Sequence, residues 1–265
     1  MTPAPGKPGS ASGGALYVYC VAKCDANRIL GPIGLDGQPV FTIHSHGLCA
    51  VVHDCPDQAY QSPDPRVVEA WVMAHQIVVV EASKAFGTVL PMAFDMIIHD
   101  APDGGAAGAL KAWLDEKHDR FVQLLNHLSG KAEYGVQVLW DRRIVAESLV
   151  AGDEELRKLR AEAQDKPRGL AHVLQQKLAK AVRSAMEKHA DKLAADFYAR
   201  IRRCVDDVRI EKLKKVEDDR QMLLNLSCLM APDREDLGRE LDEIQKTEGV
   251  TVRFTGPWPP YGFVG

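Results

Sequence analysis

At 265 residues the chain can bury a sizeable core in one large or two small domains, and its 46% apolar and 26% charged content is that of a folded globular protein. Its 33 basic and 37 acidic residues give a net charge of -4, and no Lys/Arg cluster is interleaved with aromatics, which argues against a nucleic-acid partner. No apolar run approaches the roughly 20 residues that cross a bilayer, so no membrane partner is expected.

Residues 1–14 are rich in Pro, Gly, Ser and Ala without an apolar centre, and are expected as a disordered lead-in, neither secretory signal nor transit peptide. Ala15 to Val21 then reads as a strand, followed by a Gly/Pro-rich excursion over Leu30 to Pro39. Val40 to His44 and Leu48 to His53 follow as a hairpin turning at Ser45-His46-Gly47. Pro65 opens an amphipathic helix carried by Val67, Ala70, Trp71, Ala74, Ile77, Val78 and Ala85 and stopped by Gly87. Thr88 to Met92 reads as a strand, the loop Asp100 to Gly108 precedes one helix from about Ala109 to Leu128, and Glu133 to Trp140 is a strand with Tyr134, Val136, Val138 and Trp140 on one face. This half is expected to be a mixed sheet with helices over one face.

From Asp153 the composition turns charge-rich and helical. Leu170, Leu174, Leu178, Val182, Met186, Leu193, Phe197 and Ile201 mark one apolar stripe along a helix on the order of 50 Å long. The stripe either covers a sheet or extends past it toward another protein. Val205 to Leu213 and Gln221 to Met230 read as an antiparallel pair turning at Glu217 to Arg220. Pro232 opens a helix to Thr247, and Val250 to Phe254 is the last strand. Helix, strand, strand, helix, strand is most of a ferredoxin-like unit. The expectation is therefore an α+β chain of two domains: 15–150, α/β-rich, and 151–265, ferredoxin-like with a long helix, dividing near Val145 to Asp153.

Little of this sequence points to chemistry. His44, His46, Cys49, His53 and Cys55 lie within twelve residues, but their spacing matches no zinc pattern, and exposed histidines with buried thiols are the simpler account. The six cysteines contain no Cys-x-x-Cys pair and are expected as free thiols in a reducing cytoplasm. His75 lies in an apolar helical pattern without a nucleophile beside it, and no glycine motif cradles a phosphate, so neither catalysis nor a cofactor is expected. The alternative is a cytosolic enzyme with a polar site near His75 and Pro91.

The end of the chain is distinctive. In Thr255-Gly256-Pro257-Trp258-Pro259-Pro260-Tyr261-Gly262-Phe263-Val264 three prolines hold the backbone extended, and three aromatics are costly to leave in water. Thr255, Gly256, Pro257, Trp258, Pro259, Pro260, Tyr261 and Phe263 are therefore the candidate site. They form either a latch over the protein's own surface or an arm that docks on a partner.

This run resembles the terminal signature of the gas vesicle protein F/L family. The resemblance continues in Leu16-Tyr17-Val18-Tyr19, Gly31-Pro32-Ile33-Gly34-Leu35-Asp36-Gly37, Leu48-Cys49-Ala50-Val51-Val52, Ala74-His75-Gln76-Ile77-Val78, Val89-Leu90-Pro91-Met92-Ala93-Phe94 and Met222-Leu223-Leu224-Asn225-Leu226-Ser227. It departs at Ala93 and Asp95, where the family more often has an Arg and a Gly around the Phe. The resemblance implies a non-enzymatic minor structural or accessory protein of gas vesicles, found in the cytoplasm and at the vesicle. Its implied partners are the small hydrophobic major shell protein, kept from aggregating before it polymerises, and other gas vesicle accessory proteins.

Overall fold

The structure, a computed structural model, describes residues 14–216 and 219–264. Apart from Gly14, the expected lead-in lies outside the described residues, as do Glu217 and Asp218 of the expected charged turn. The chain divides into two compact units. One runs to Ala132 and takes in the chain again from Trp258; the other runs from Glu133 to Pro257.

The first unit contains β1 (Ala15–Lys23), β2 (Ile29–Gly31), β3 (Val40–Ser45), β4 (Leu48–Cys55), α1 (Pro65–Phe86), β5 (Val89–Pro91), β6 (Ile97–His99), α2 (Gly105–Glu116) and α3 (His118–Leu128). The strand order is β2-β3-β4-β1-β5, with β6 also paired to β1. The expected mixed sheet is instead antiparallel at the pairs β1–β4, β1–β5, β1–β6, β2–β3 and β3–β4. His46 and Gly47, both at positive φ, make the two-residue turn that joins β3 to β4. The expectation of helices on one face also fails. β1 is buried from Ala15 to Ala22, because Tyr17, Tyr19, Cys49 and Val51 pack toward Val78, Val79 and Ala82 of α1, while α2 and α3 also pack on the sheet. A register shift between Val18 and Cys20 places a bulge at Tyr19.

Asp64 caps α1 by accepting the Arg66 N–H, Pro65 occupies its first turn, and Gly87 at φ 79 ends it. The single helix expected over Ala109 to Leu128 is two, broken at Lys117. The buried Leu110, Leu114, Phe121, Leu125 and Leu128 keep helical phase through the break, so their spacing does not reveal it.

The second unit contains β7 (Ala132–Asp141), α4 (Arg142–Gly152), α5 (Glu154–Asp165), α6 (Arg168–Arg203), β8 (Asp207–Ile210), β9 (Arg220–Met230), α7 (Asp236–Gln245) and β10 (Val250–Trp258), with strand order β10-β7-β9-β8. The succession is β7, the three helices α4, α5 and α6, then β8, β9, α7 and β10, and β7 is its first strand. The units therefore part at Ala132 and Glu133, ahead of the expected 145–153, because β7 pairs within the second sheet. Pro232 lies in a turn, not at the start of a helix. α7 begins at Asp236, whose carboxylate takes two hydrogen bonds from the Arg234 guanidinium. α6 buries Met186, Phe197 and Ile201 in its C-terminal half. In its N-terminal half Leu170 is half-exposed and Leu174, Leu178 and Val182 are partly buried, and α4 and α5 also pack on α6.

Candidate functional site

The proline-aromatic run is shared between two settings. Its first part ends β10 in the second unit, where Thr255, Gly256 and Pro257 are exposed. Phe254 stacks on Tyr134 of β7 with centroids 5.4 Å apart. Gly256 is at φ +121, and a Cβ there would meet the Glu133 carbonyl oxygen and Tyr134 Cδ1, each at 2.9 Å. Only glycine combines that backbone with that approach. Gly256→Ala is expected to cost about 2 kcal/mol, read as a lower urea midpoint for the second unit. An unmoved midpoint would show that the strand end shifts freely.

From Trp258 the chain belongs to the first unit as a terminal strap. Trp258 keeps 49% of its surface exposed, Pro259 is half-buried, Pro260 is buried and Phe263 is 2% exposed. A single 3-10 turn, Tyr261–Phe263, holds its shape, with the Phe263 N–H donating to the Pro260 carbonyl at 3.1 Å. Arg120 of α3 donates to the Val264 carbonyl at 3.4 Å.

The strap's Tyr261 packs against a buried cluster of tyrosines and histidines. Tyr17 and Tyr19, two residues apart on β1, share a face. The Leu35 N–H donates to Tyr19 Oη at 2.9 Å, so the Tyr19 proton is directed to His53 Nδ1 at 2.9 Å. This leaves His53 Nε2–H to donate to Tyr60 Oη, also at 2.9 Å. Likewise the Asp95 N–H donates to Tyr17 Oη at 3.0 Å, and the Tyr17 hydroxyl faces His75 Nδ1 at 2.9 Å. Burial lowers the pKa of His53 to about 4, against the weak opposing charge of Asp36. Burial also lowers His75 to about 4, with the Met92 backbone acting the other way. Burial raises the pKa of Tyr17, Tyr19, Tyr60 and Tyr261. Asp95 holds the loop after Phe94 at φ 69, a conformation that favours glycine, and its carboxylate accepts the Tyr60 N–H at 3.0 Å.

Two polar atoms in this cluster, His75 Nε2 and Tyr261 Oη, are buried without a hydrogen-bond partner, their rings 6.4 Å apart. His75 is 4% exposed and enclosed by Tyr17, Tyr19, Phe94 and Tyr261, and Pro91 is buried in β5. The expectation of exposed histidines on the hairpin fails for His53, which is fully buried because β4 is an inner strand. His44 Nε2 accepts the Gly47 N–H, and His46 pairs with Asp115 at 2.8 Å. Among the described residues no group of three or more His, Cys, Asp or Glu could hold a metal ion, and the six cysteines are free.

Two apolar grooves lie outside the terminal run, the second along part of the α6 stripe. In the first unit a groove of about 540 Å³ lies between Ile29 and Ile33 on one side and Ile77 and Phe86 of α1 on the other. Ile29, on the edge strand β2, is 84% exposed and Ile77 is half-exposed. In the second unit a groove of about 800 Å³ runs beside Leu178, Val182 and Met186 of α6, with Trp140 in its wall. No helix among the described residues is long and apolar enough to cross a membrane.

Residues 15–265 match the family model described as gas vesicle synthesis protein GvpL/GvpF. The chain is 33% identical to gas vesicle protein L1 of Halobacterium salinarum over 93% of its own length and 89% of that protein. It is 31% identical to gas vesicle protein F of a Streptomyces species, over 94% of the chain and 98% of that protein. Among solved structures it resembles the crystal structure of gas vesicle protein GvpF from Anabaena sp. PCC7120, with a TM-score of 0.74 at 18% identity, covering 95% of this chain and 98% of that one. The family model covers both units and the terminal strap alike, and the chain belongs to the gas vesicle protein GvpL/GvpF family.

Proposed function

We propose that this chain is a minor structural or accessory protein in gas vesicle nucleation and assembly, present in the cytoplasm and at the vesicle. It binds the small hydrophobic major shell protein and keeps it from aggregating, alongside other gas vesicle accessory proteins. Beyond family membership, the observation that carries this reading is the open apolar surface at Ile29 and Ile77, on a unit whose titratable cluster is sealed from solvent. A surface of that kind covers an apolar partner and catalyses nothing by itself. The second unit is read as a ferredoxin-like domain extended by α6.

In this reading the terminal run has two roles. Pro260, Tyr261 and Phe263 latch the strap to the first unit, whereas Thr255, Gly256, Pro257 and Trp258, all exposed, with Pro259 beside them, form the part offered to a partner. Co-expression with the major shell protein and affinity capture of this chain tests the proposal. The shell protein in the eluate supports it; its absence, with the captured chain folded, contradicts it. Trp258→Ala, run in parallel, is expected to change thermal stability little and to reduce capture. A large loss of stability would instead place Trp258 in the latch.

A further inference from the structure

The long helix of the second unit carries its charge unevenly. Between Asp165 and Glu187 the sequence holds no acidic residue, while Lys177, Lys180 and Arg183 fall in that half of α6, in a chain whose net charge is -4. The groove of about 800 Å³ lies beside this half. One wall is α6 from Gln175 to Ala190, about four helical turns or 22 Å, and the other comes from the end of β7, the start of α4 and the start of β9. Leu178, Val182 and Met186 make the α6 wall apolar. Trp140 is fixed opposite by donating its indole N–H to Gln221 Oε1 at 3.2 Å and by stacking on His189.

Charge stands at the rim of both walls. Arg142, the first residue of α4, and Arg183 of α6 are exposed there. Asp219 accepts the Arg142 backbone N–H at 3.0 Å, but its carboxylate pairs with Arg143, at 3.8 Å. Among the described residues neither Arg142 nor Arg183 forms an ion pair. Glu187, one turn beyond Arg183, is the acid in the groove and offsets one of the two arginines, so the groove is left basic.

We infer that this groove docks an acidic amphipathic helix of another protein. The apolar stripe of that helix lies on Leu178, Val182 and Met186, and carboxylates flanking the stripe meet Arg142 and Arg183. The unpaired arginines select acidic flanks. The straight run of apolar side chains at three- and four-residue steps along α6 selects a helix, whose own ridges pack into such a surface. A second copy of this chain does not supply it through its acidic helices: α5 already buries Leu156 and Ala163, and α7 buries Leu237, Leu241 and Ile244. The groove belongs to the second unit and is independent of the role proposed for Ile29 and Ile77 in the first.

The test uses the full chain and a fluorescein-labelled designed helical peptide with leucines at i, i+3, i+4 and i+7 spacing and glutamates on both flanks, read by fluorescence anisotropy. The expected result is binding that weakens at least about tenfold when lysines replace the glutamates. That comparison needs no variant of the protein. The double variant Arg142→Glu, Arg183→Glu should reverse the preference. Ala179→Trp, which fills the groove from an exposed position, should abolish binding at an unchanged thermal midpoint, and Ile29→Glu should leave binding as it is. No binding by the folded wild type, equal affinity for the two peptides, binding that survives Ale179→Trp, or binding lost in Ile29→Glu would each overturn the inference. A central proline in the glutamate peptide separates a helix from an extended segment: weaker binding agrees with a docked helix, and equal binding contradicts it.

Discussion

Acidification is expected to destabilise the first unit before the carboxylates of the surface are protonated. His53 and His75 are held neutral, each with a pKa lowered by burial from 6.5 to about 4. The folded state therefore binds fewer protons than the unfolded state between those values. Stability is fully present above pH 6.5, and it is lost as the pH falls through the folded pKa near 4. Each ring contributes at most about 3 kcal/mol across that window, a large fraction of a small unit's total. The electrostatic surroundings are consistent with this sign: the carboxylate that acts on His53 is Asp36, and it only partly offsets burial. Thermal midpoints measured from pH 7 to pH 4 should fall steeply for the wild type. His53→Gln, which keeps a polar side chain but cannot titrate in this range, should flatten part of that slope whatever it does to the midpoint at neutral pH. An unchanged slope in both His53→Gln and His75→Gln would show that these rings do not govern the acid limb.

Phe263→Ala is expected to cost about 3–4 kcal/mol, the usual loss for truncating a buried phenylalanine. Phe263 is 2% exposed and sits in the single 3-10 turn of the strap. A frayed terminus would make the same substitution neutral. The loss should fall on the first unit, and amide exchange should quicken in β1 and α1, against which the strap packs. Exchange that quickens only in the strap would mean that the terminal turn is an ornament on a unit complete without it.

Much of this fold is legible in the residues. Asp64, Pro65 and Gly87 bracket α1 by capping chemistry, and the alternation Tyr134, Val136, Val138, Trp140 marks β7 without help from the structure. The unit boundary was harder to read, because nothing in β7 says which sheet it joins. A strand followed by charge-rich helices reads as the end of one domain, when it is the first strand of the second sheet. β2 and β6, three residues each, are too short to show a period, and Lys117 breaks a helix whose apolar spacing is continuous. The terminal run was conspicuous from its prolines and aromatics. Its division between a buried half and an exposed half was not, since pattern alone does not say what a rigid segment packs on. The paired tyrosines Tyr17 and Tyr19 left a usable signal: two hydroxyls on one face of a strand that is otherwise apolar need partners, and His53 and His75 are those partners.

The measurement closest to the proposed role is capture of the major shell protein by this chain, comparing the wild type with Ile29→Glu and Ile77→Glu. Both side chains are at least half-exposed, so the substitutions spare the core and place charge on the apolar surface. The account predicts that the wild type carries the shell protein through affinity purification and that the charged variants, folded to the same midpoint, carry markedly less. Equal capture by wild type and variants would remove this surface from the account, and no capture by folded wild type would contradict the binding role itself.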